Sequence, residues 1–196
     1  MKRLFDLILS LVGIIVLSPL LIYIAVRIKF DSKGNVFYRQ LRVGKHGREF
    51  YLYKFRTMHP GSDTMNLLTY GLTDNRITGF GAFIRKYKLD ELPQLFNVLL
   101  GEMSIVGPRP EVKKYVDMYN EEQRQILNVK PGITDLASIR YIDESTLLAE
   151  QPEPERYYIE HVMPEKIRLN NTFITSPSLV NYFYIIGLTI KKLATR

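Results

Sequence analysis

Residues 4–26 read LFDLILSLVGIIVLSPLLIYIAV, and the fold turns on how this run is read. From Leu7 to Val26, 20 residues pass without a charge, enough for a straight helix to cross a bilayer. Ser18-Pro19 lies inside the run. Pro19 has no N–H for the carbonyl of Ile15, and its ring crowds that carbonyl, so the helix must kink or break there. In lipid a freed carbonyl is costly, and the Ser18 hydroxyl is close enough in sequence to help satisfy it. Lys2 and Arg3 precede the run; Arg27, Lys29 and Lys33 follow it. Basic residues tend to stay cytoplasmic, so cations at both ends suit a helix that enters, bends and returns to the same face. An ordinary kinked span is the other reading, and the residues alone leave the two even. A cleaved signal peptide would have a shorter apolar core followed by small residues, whereas Arg27, Ile28 and Lys29 follow here.

Beyond this run the chain has the length and composition of one domain with a real core: 196 residues, 27 of them Lys or Arg against 20 Asp or Glu, net +7. The basic balance suits nucleic acid, anionic lipid or a phosphorylated substrate. The basic residues form no run and no RNA-recognition motif, and the apolar segment points to membrane, so no nucleic-acid partner is expected. With no cysteine, disulfides and thiolate nucleophiles are excluded. The three histidines, His46, His59 and His161, lack metal-ligand spacing, and Walker, Rossmann and G-x-S-x-G motifs are missing.

Residues 36–42 (VFYRQLR) and 48–55 (REFYLYKF) flank a glycine-bearing turn and predict a β-hairpin. Residues 60–75 predict a loop with a short helical piece. Helices are expected over 79–87, 90–100 and 110–128, with rigid turns at GPRPE (107–111) and KPGIT (130–134). QPEPE (151–155) is a polar loop before a further helix. Residues 179–193 (LVNYFYIIGLTIKKL) suit either an interfacial helix or one packed on the core.

Asp90 and Glu91, in KLDELPQL (88–95), are the strongest candidates for chemistry. Asp90 reads as an N-cap, with Glu91 in the first turn and Pro93 tolerated there. A carboxylate at a helix N-terminus stays ionised, beside N–H groups that also attract phosphate, so capping and chemistry do not exclude each other. Adjacent helical residues point about 100° apart, so the two acids do not form a proton-sharing dyad. One attacking and one holding a metal is the more natural division. Lys54 and Arg56 end the second strand, Arg85 precedes the acids, and Arg109 is locked in Pro-Arg-Pro, where its fork is preset for phosphate.

These motifs carry a resemblance. The broken apolar start with Ser18-Pro19, then YKFRTM (53–58), DNRITGFGAFIRKYKLDELPQLFNVLLGEMSIVGPRPE (74–111) and KPGIT together resemble the small monotopic phosphoglycosyl transferases, bacterial sugar transferases that start glycoconjugate assembly. The match covers about residues 1–140. It implies transfer of a sugar phosphate from a UDP-sugar to polyprenyl (undecaprenyl) phosphate, with release of UMP. It implies that Asp90 is the nucleophile of a covalent intermediate and that Glu91 helps bind Mg²⁺. Lys54, Arg85 and Arg109 would neutralise phosphate; Arg56 is grouped with them, and Arg140 is the counterpart of an arginine further along. The resemblance also favours re-entry at Ser18-Pro19. The implied fold is α+β and mainly helical. A re-entrant helix-break-helix over 1–29 would be followed by a β-hairpin and a compact helical domain over 30–196, with interfacial helices, on membrane phospholipid at the cytoplasmic face of the bacterial inner membrane. The chain departs from the pattern at Asp135, where relatives commonly have glycine, and at Asn170 and Asn181 or Tyr182, where they commonly have aspartates. A metal-dependent phosphohydrolase of lipid-linked phosphates and a basic membrane-surface scaffold are the rival functions. The residues do not specify the sugar, the polyprenol length or the oligomeric state.

Overall fold

The computed structural model describes residues 1–62, 74–175 and 177–195; most of the loop expected over 60–75 lies outside them. The apolar run forms one helix, α1 (Lys2–Asp31), with Pro19 inside it. The expected break at Ser18-Pro19 does not interrupt the helix. Its physical reason is local: the Ser18 hydroxyl donates to the Ile15 carbonyl (2.8 Å), the group that Pro19 leaves without a partner. Most of the apolar face of α1 is exposed, Val16 by 69%. It is the single helix among the described residues long and apolar enough to cross a membrane.

Both ends of α1 are nevertheless bound to the rest of the chain. At its start Asp6 is buried, and one carboxylate oxygen accepts from the Ser104 hydroxyl (2.9 Å), the Ile105 N–H (2.9 Å) and the Tyr182 hydroxyl (2.8 Å). Lys2 donates to the Val106 carbonyl, and Arg3 donates to the carbonyls of Val98 and Leu99. At its other end Ile24 and Ile28 pack with Phe55 and Ile84 in one apolar cluster.

The expected hairpin is present as β1 (Phe37–Val43) and β2 (Glu49–Phe55), antiparallel with Phe37 opposite Phe55. α2 (Gly79–Lys86) follows, capped by the Thr78 hydroxyl. The helix expected over 90–100 begins later, as α3 (Gln94–Leu100), after a 3-10 turn at Leu89–Glu91. The stretch 110–128 is not one helix but α4 (Lys113–Val116), α5 (Glu121–Arg124) and a 3-10 turn. Asn120 starts a new helix there through a reciprocal capping box with Gln123.

A second pair of strands, β3 (Ser104–Val106) and β4 (Gly132–Thr134), runs parallel; β3 directly precedes the GPRPE turn, and β4 falls inside KPGIT, where the sequence predicts a turn. Two glycines explain it. A Cβ on Gly132 would lie 2.1 Å from the Gly107 nitrogen, so only glycine lets the GPRP and PGIT turns lie on each other. Gly107 N–H donates to the Thr134 carbonyl (3.0 Å) and Gly132 N–H to the Pro108 carbonyl (2.9 Å). The carboxyl-terminal half is helical: α6 (Leu136–Arg140), α7 (Glu144–Ala149), α8 (Pro154–Tyr157), a π-turn at Tyr158–Val162, α9 (Met163–Thr175) and α10 (Leu179–Ala194). α10 packs on the core through Tyr182 and Ile185, while Val180, Tyr184 and Ile190 are exposed.

Candidate active site

A cleft of about 670 Å³ gathers most of the expected residues. Lys54, Arg85, Asp90, Glu91 and Arg109 all line it. The chain delivers Lys54, Arg85, the adjacent Asp90 and Glu91, and Arg109 from four separate segments. Asn97, fully buried in α3, accepts from the Tyr53 N–H (3.0 Å) and donates to the Tyr51 carbonyl (2.7 Å), fixing β2 and hence Lys54 against the acid pair. Arg85 reaches in from α2 with its Nε donating to the Thr57 hydroxyl (2.7 Å). Lys88 adopts a left-handed conformation (φ 57°) before Leu89–Glu91 and also lines the cleft. Such a backbone costs about 1–2 kcal/mol in a residue with a Cβ, and here it turns the chain directly before the acids.

The two acids are unlike. Glu91 is clamped: Arg109 grips it through both nitrogens of its fork (Nη1 to Oε2, 2.8 Å), and Lys54 donates to Oε1 at 3.3 Å. Burial pushes the Glu91 carboxyl up, but Arg109 and Lys54 outweigh it and hold it well below the usual carboxylate range. Asp90 is not the N-cap that the sequence suggests. α3 starts at Gln94 behind Pro93, and Asp90 accepts no hydrogen bond from its N–H groups. Its Oδ1 is buried and has no hydrogen-bond partner in the protein. Burial, and then the Glu91 charge, raise the Asp90 carboxyl above its ordinary range, against Lys54, Arg85 and Lys88. The ionisation that the sequence assigned to a helix start therefore depends on the surrounding cations.

Arg109 is held twice. Its fork is on Glu91, and its backbone N–H donates to Asp135 Oδ2 at 2.7 Å. Asp135 Oδ1 caps α6 by accepting from the Ser138 N–H. The glycine-to-aspartate departure in the sequence is thus a buried brace behind the Pro-Arg-Pro turn. Two expected residues are not brought to the cleft. Arg56 donates instead to the Ser32 and Lys33 carbonyls just past α1, and Arg140 is exposed on α6, 4.0 Å from Glu165. Asn170, Asn181 and Tyr182 also lie off the cleft lining.

The cleft has two further walls. Gly13 and Leu17 of α1, Leu92 and Leu95, and Ile190 and Leu193 of α10 make one apolar wall. The other is polar and comes from the carboxyl-terminal half. There Glu144 accepts from Lys166 (2.8 Å), and Glu111 accepts from Arg42 (3.1 Å) and from the Tyr158 hydroxyl. Glu111 was visible in GPRPE; Glu144 and Lys166, 22 residues apart on separate short helices, carry no sequence signal.

Among the described residues no group of three acids, histidines or cysteines is close enough to hold a metal alone. Mg²⁺ commonly takes one or two carboxylates and completes its shell with water and substrate phosphates. Glu91 Oε2 accepts one hydrogen bond, from Arg109, which leaves a second lone pair, and Asp90 Oδ1 is partnerless. The acid pair fits a cation shared with a diphosphate.

Four cations surround an acid pair, next to an apolar wall built partly by a helix long and apolar enough to cross a membrane. The chain belongs to the bacterial sugar transferase family, whose model matches residues 1–196. It is 46% identical over 142 residues to the UDP-glucose:undecaprenyl-phosphate glucose-1-phosphate transferase of Xanthomonas campestris pv. campestris, covering 70% of this chain and 29% of that protein. It is 40% identical over 167 residues to the UDP-N-acetylgalactosamine-undecaprenyl-phosphate N-acetylgalactosaminephosphotransferase of Aeromonas hydrophila, covering 82% of this chain and 39% of that protein. With an uncharacterized sugar transferase of Bacillus subtilis it shares 43% identity over 140 residues, covering 71% of this chain and 68% of that protein. The chain therefore spans less than half the length of the first two relatives.

Proposed function

We propose that this chain is a phosphoglycosyl transferase unit that moves a sugar phosphate from a UDP-sugar to polyprenyl phosphate in two displacements. The observation that carries the reading is Asp90 Oδ1, buried and partnerless in a cleft lined by Lys54, Arg85, Lys88 and Arg109. An acceptor atom left unpaired by the protein is available to a phosphorus atom, and the cations oppose the rise that burial and Glu91 impose on its carboxyl.

In the first step Asp90 Oδ1 forms a bond to the sugar-bearing phosphorus. The bond from that phosphorus to the bridging oxygen breaks, and its electron pair leaves with UMP. In the second step an oxygen of polyprenyl phosphate attacks the same phosphorus and expels the Asp90 carboxylate, leaving a lipid-linked sugar diphosphate. Lys54, Arg85 and Arg109 offset charge on the non-bridging oxygens. Arg109 also holds Glu91 in place. Mg²⁺ on Glu91 and the diphosphate would supply charge compensation for the leaving UMP. The apolar wall gives the polyprenyl chain a path from lipid to phosphorus.

We also propose that α1 lies in one leaflet, with the domain on the cytoplasmic face of the bacterial inner membrane. A straight 30-residue helix is about 45 Å long, and both ends of this one bind one domain. That favours return to one face over a crossing.

The test is UMP release from a panel of UDP-sugars with Mg²⁺ and undecaprenyl phosphate. Asp90→Asn is expected to lose both turnover and the trapped sugar-phosphate adduct, and chelation of Mg²⁺ to stop release. Turnover by Asp90→Asn near the wild-type rate removes Asp90 as nucleophile. Free sugar phosphate formed equally well without the lipid acceptor indicates a phosphohydrolase, and salt-sensitive vesicle binding with no UMP release a scaffold.

A further inference from the structure

The cleft is divided by charge. Around the acid pair, Lys54, Arg85, Lys88 and Arg109 outnumber Asp90 and Glu91 four to two, as suits a diphosphate. On the polar wall Glu144 is paired with Lys166 at 2.8 Å, and Glu111 with Arg42 at 3.1 Å. A wall of ion-paired carboxylate acceptors and cationic donors draws phosphate less than the cation cluster around the acid pair does. It suits a neutral group covered in hydroxyls.

Two observations narrow the location. Ser138 Oγ, on α6 and in the cleft lining, is buried and has no hydrogen-bond partner in the protein. It follows Asp135, whose carboxylate accepts from both the Arg109 and Ser138 N–H groups, so this wall is tied to the phosphate-binding turn. Glu144 lines the same cleft as Arg109 and Tyr158. Lys166 sits over the Tyr158 ring, 5.3 Å from its centroid, and one of its three protons is used on Glu144. A sugar attached to the attacked phosphorus must lie near Arg109, and Ser138 is joined to Arg109 through the Asp135 carboxylate.

We infer that Ser138, Glu144 and Lys166 form the subsite that reads the hydroxyls of the transferred sugar. The inference rests on the transferase reading above and assigns it a specificity determinant. Glu144 accepts from ring hydroxyls, Lys166 donates to them, and Ser138 does either. The sugar stays on this wall through both displacements, while UMP and the lipid phosphate take turns opposite Asp90.

The experiment compares UDP-sugars differing at one hydroxyl or N-acetyl group, with wild type, Glu144→Gln, Lys166→Met and Ser138→Ala. Losing one hydrogen bond to a buried hydroxyl is expected to change the ratio of kcat/KM between two such sugars about tenfold. Product inhibition by UMP is expected to stay within about twofold of wild type in every variant, because UMP carries no transferred sugar. Ser138→Ala removes one buried oxygen that has no partner in the protein, and guards against a folding defect in the charged variants. Equal loss of kcat/KM for all sugars, or weaker UMP inhibition, overturns the subsite; the latter assigns the wall to the nucleoside. A wild-type protein that releases no UMP from any UDP-sugar overturns the transferase reading itself.

Discussion

Lys54 serves two demands. It must be a cation to neutralise phosphate, yet burial lowers its pKa to about 8, with Glu91 partly opposing the shift. The sign follows from linkage. An unfolded lysine holds its proton to about 10.4, so between pH ~8 and ~10.4 the unfolded chain binds the extra proton, and this residue makes stability rise with pH there. Activity has the opposite dependence. In the free enzyme kcat/KM for the UDP-sugar is expected to fall about tenfold per pH unit above about 8. Lys54→Arg should move that limb up by two units or more; an unmoved limb in the pH profile rules out Lys54. The acid limb belongs to Asp90 and is expected above the ordinary carboxylate range. Asp135→Ala removes acceptors from both Arg109 N–H and Ser138 N–H. It is expected to lower stability by about 1–2 kcal/mol in denaturant titration and kcat/KM about tenfold, with Asp135→Asn intermediate. At this scale the sequence was legible where residues sit in one contiguous motif, as with Asp90, Glu91 and Arg109. It grouped Arg56 and Arg140 with them, whereas the structure places both off the cleft lining, because an arginine's partner is set by whichever carbonyl or carboxylate the tertiary fold brings to it. Asp90 was taken for a cap because the sequence does not show that Lys88 turns left-handed and moves the helix start to Gln94.

At the scale of elements, the hairpin and α10 were legible because their periodicity spans enough residues to be read. β3 and β4, three residues each, have no period to read, and their pairing rests on two glycines 25 positions apart in sequence. The proline in α1 announced a fault that Ser18 repairs. Gly13 of α1 lines the apolar wall, and a Cβ there would meet Leu95 at 3.4 Å, an ordinary contact. Gly13→Ala is therefore expected to be tolerated. Gly13→Leu should fill the wall and slow transfer to polyprenyl phosphate tenfold or more, leaving single-turnover UMP release within about twofold, because only the second displacement needs the lipid. Equal slowing of both half-reactions in quenched-flow assays would place the lipid path elsewhere.

For the whole molecule, the deciding feature is that Lys2, Arg3 and Asp6 are bound by the same domain that packs on Ile24 and Ile28. Single cysteines at Met1 and Ser32 are expected to react with a membrane-impermeant thiol reagent from the same side of sealed vesicles, and the absence of native cysteine makes the assay clean. Labelling from opposite sides would mean an ordinary span. A helix long and apolar enough to cross a membrane was legible from composition alone; the two-ended clamp was not, because it is made by hydrogen bonds to carbonyls about a hundred residues away at one end and by packing on Phe55 and Ile84 at the other. The clamp also sets a height. A protein that crosses a bilayer must adjust to its thickness by tilting or stretching. On the proposed single-leaflet placement of α1, depth is set by the fold rather than by bilayer thickness, so Asp90 is expected to keep a constant distance from the lipid surface in thick and thin membranes alike.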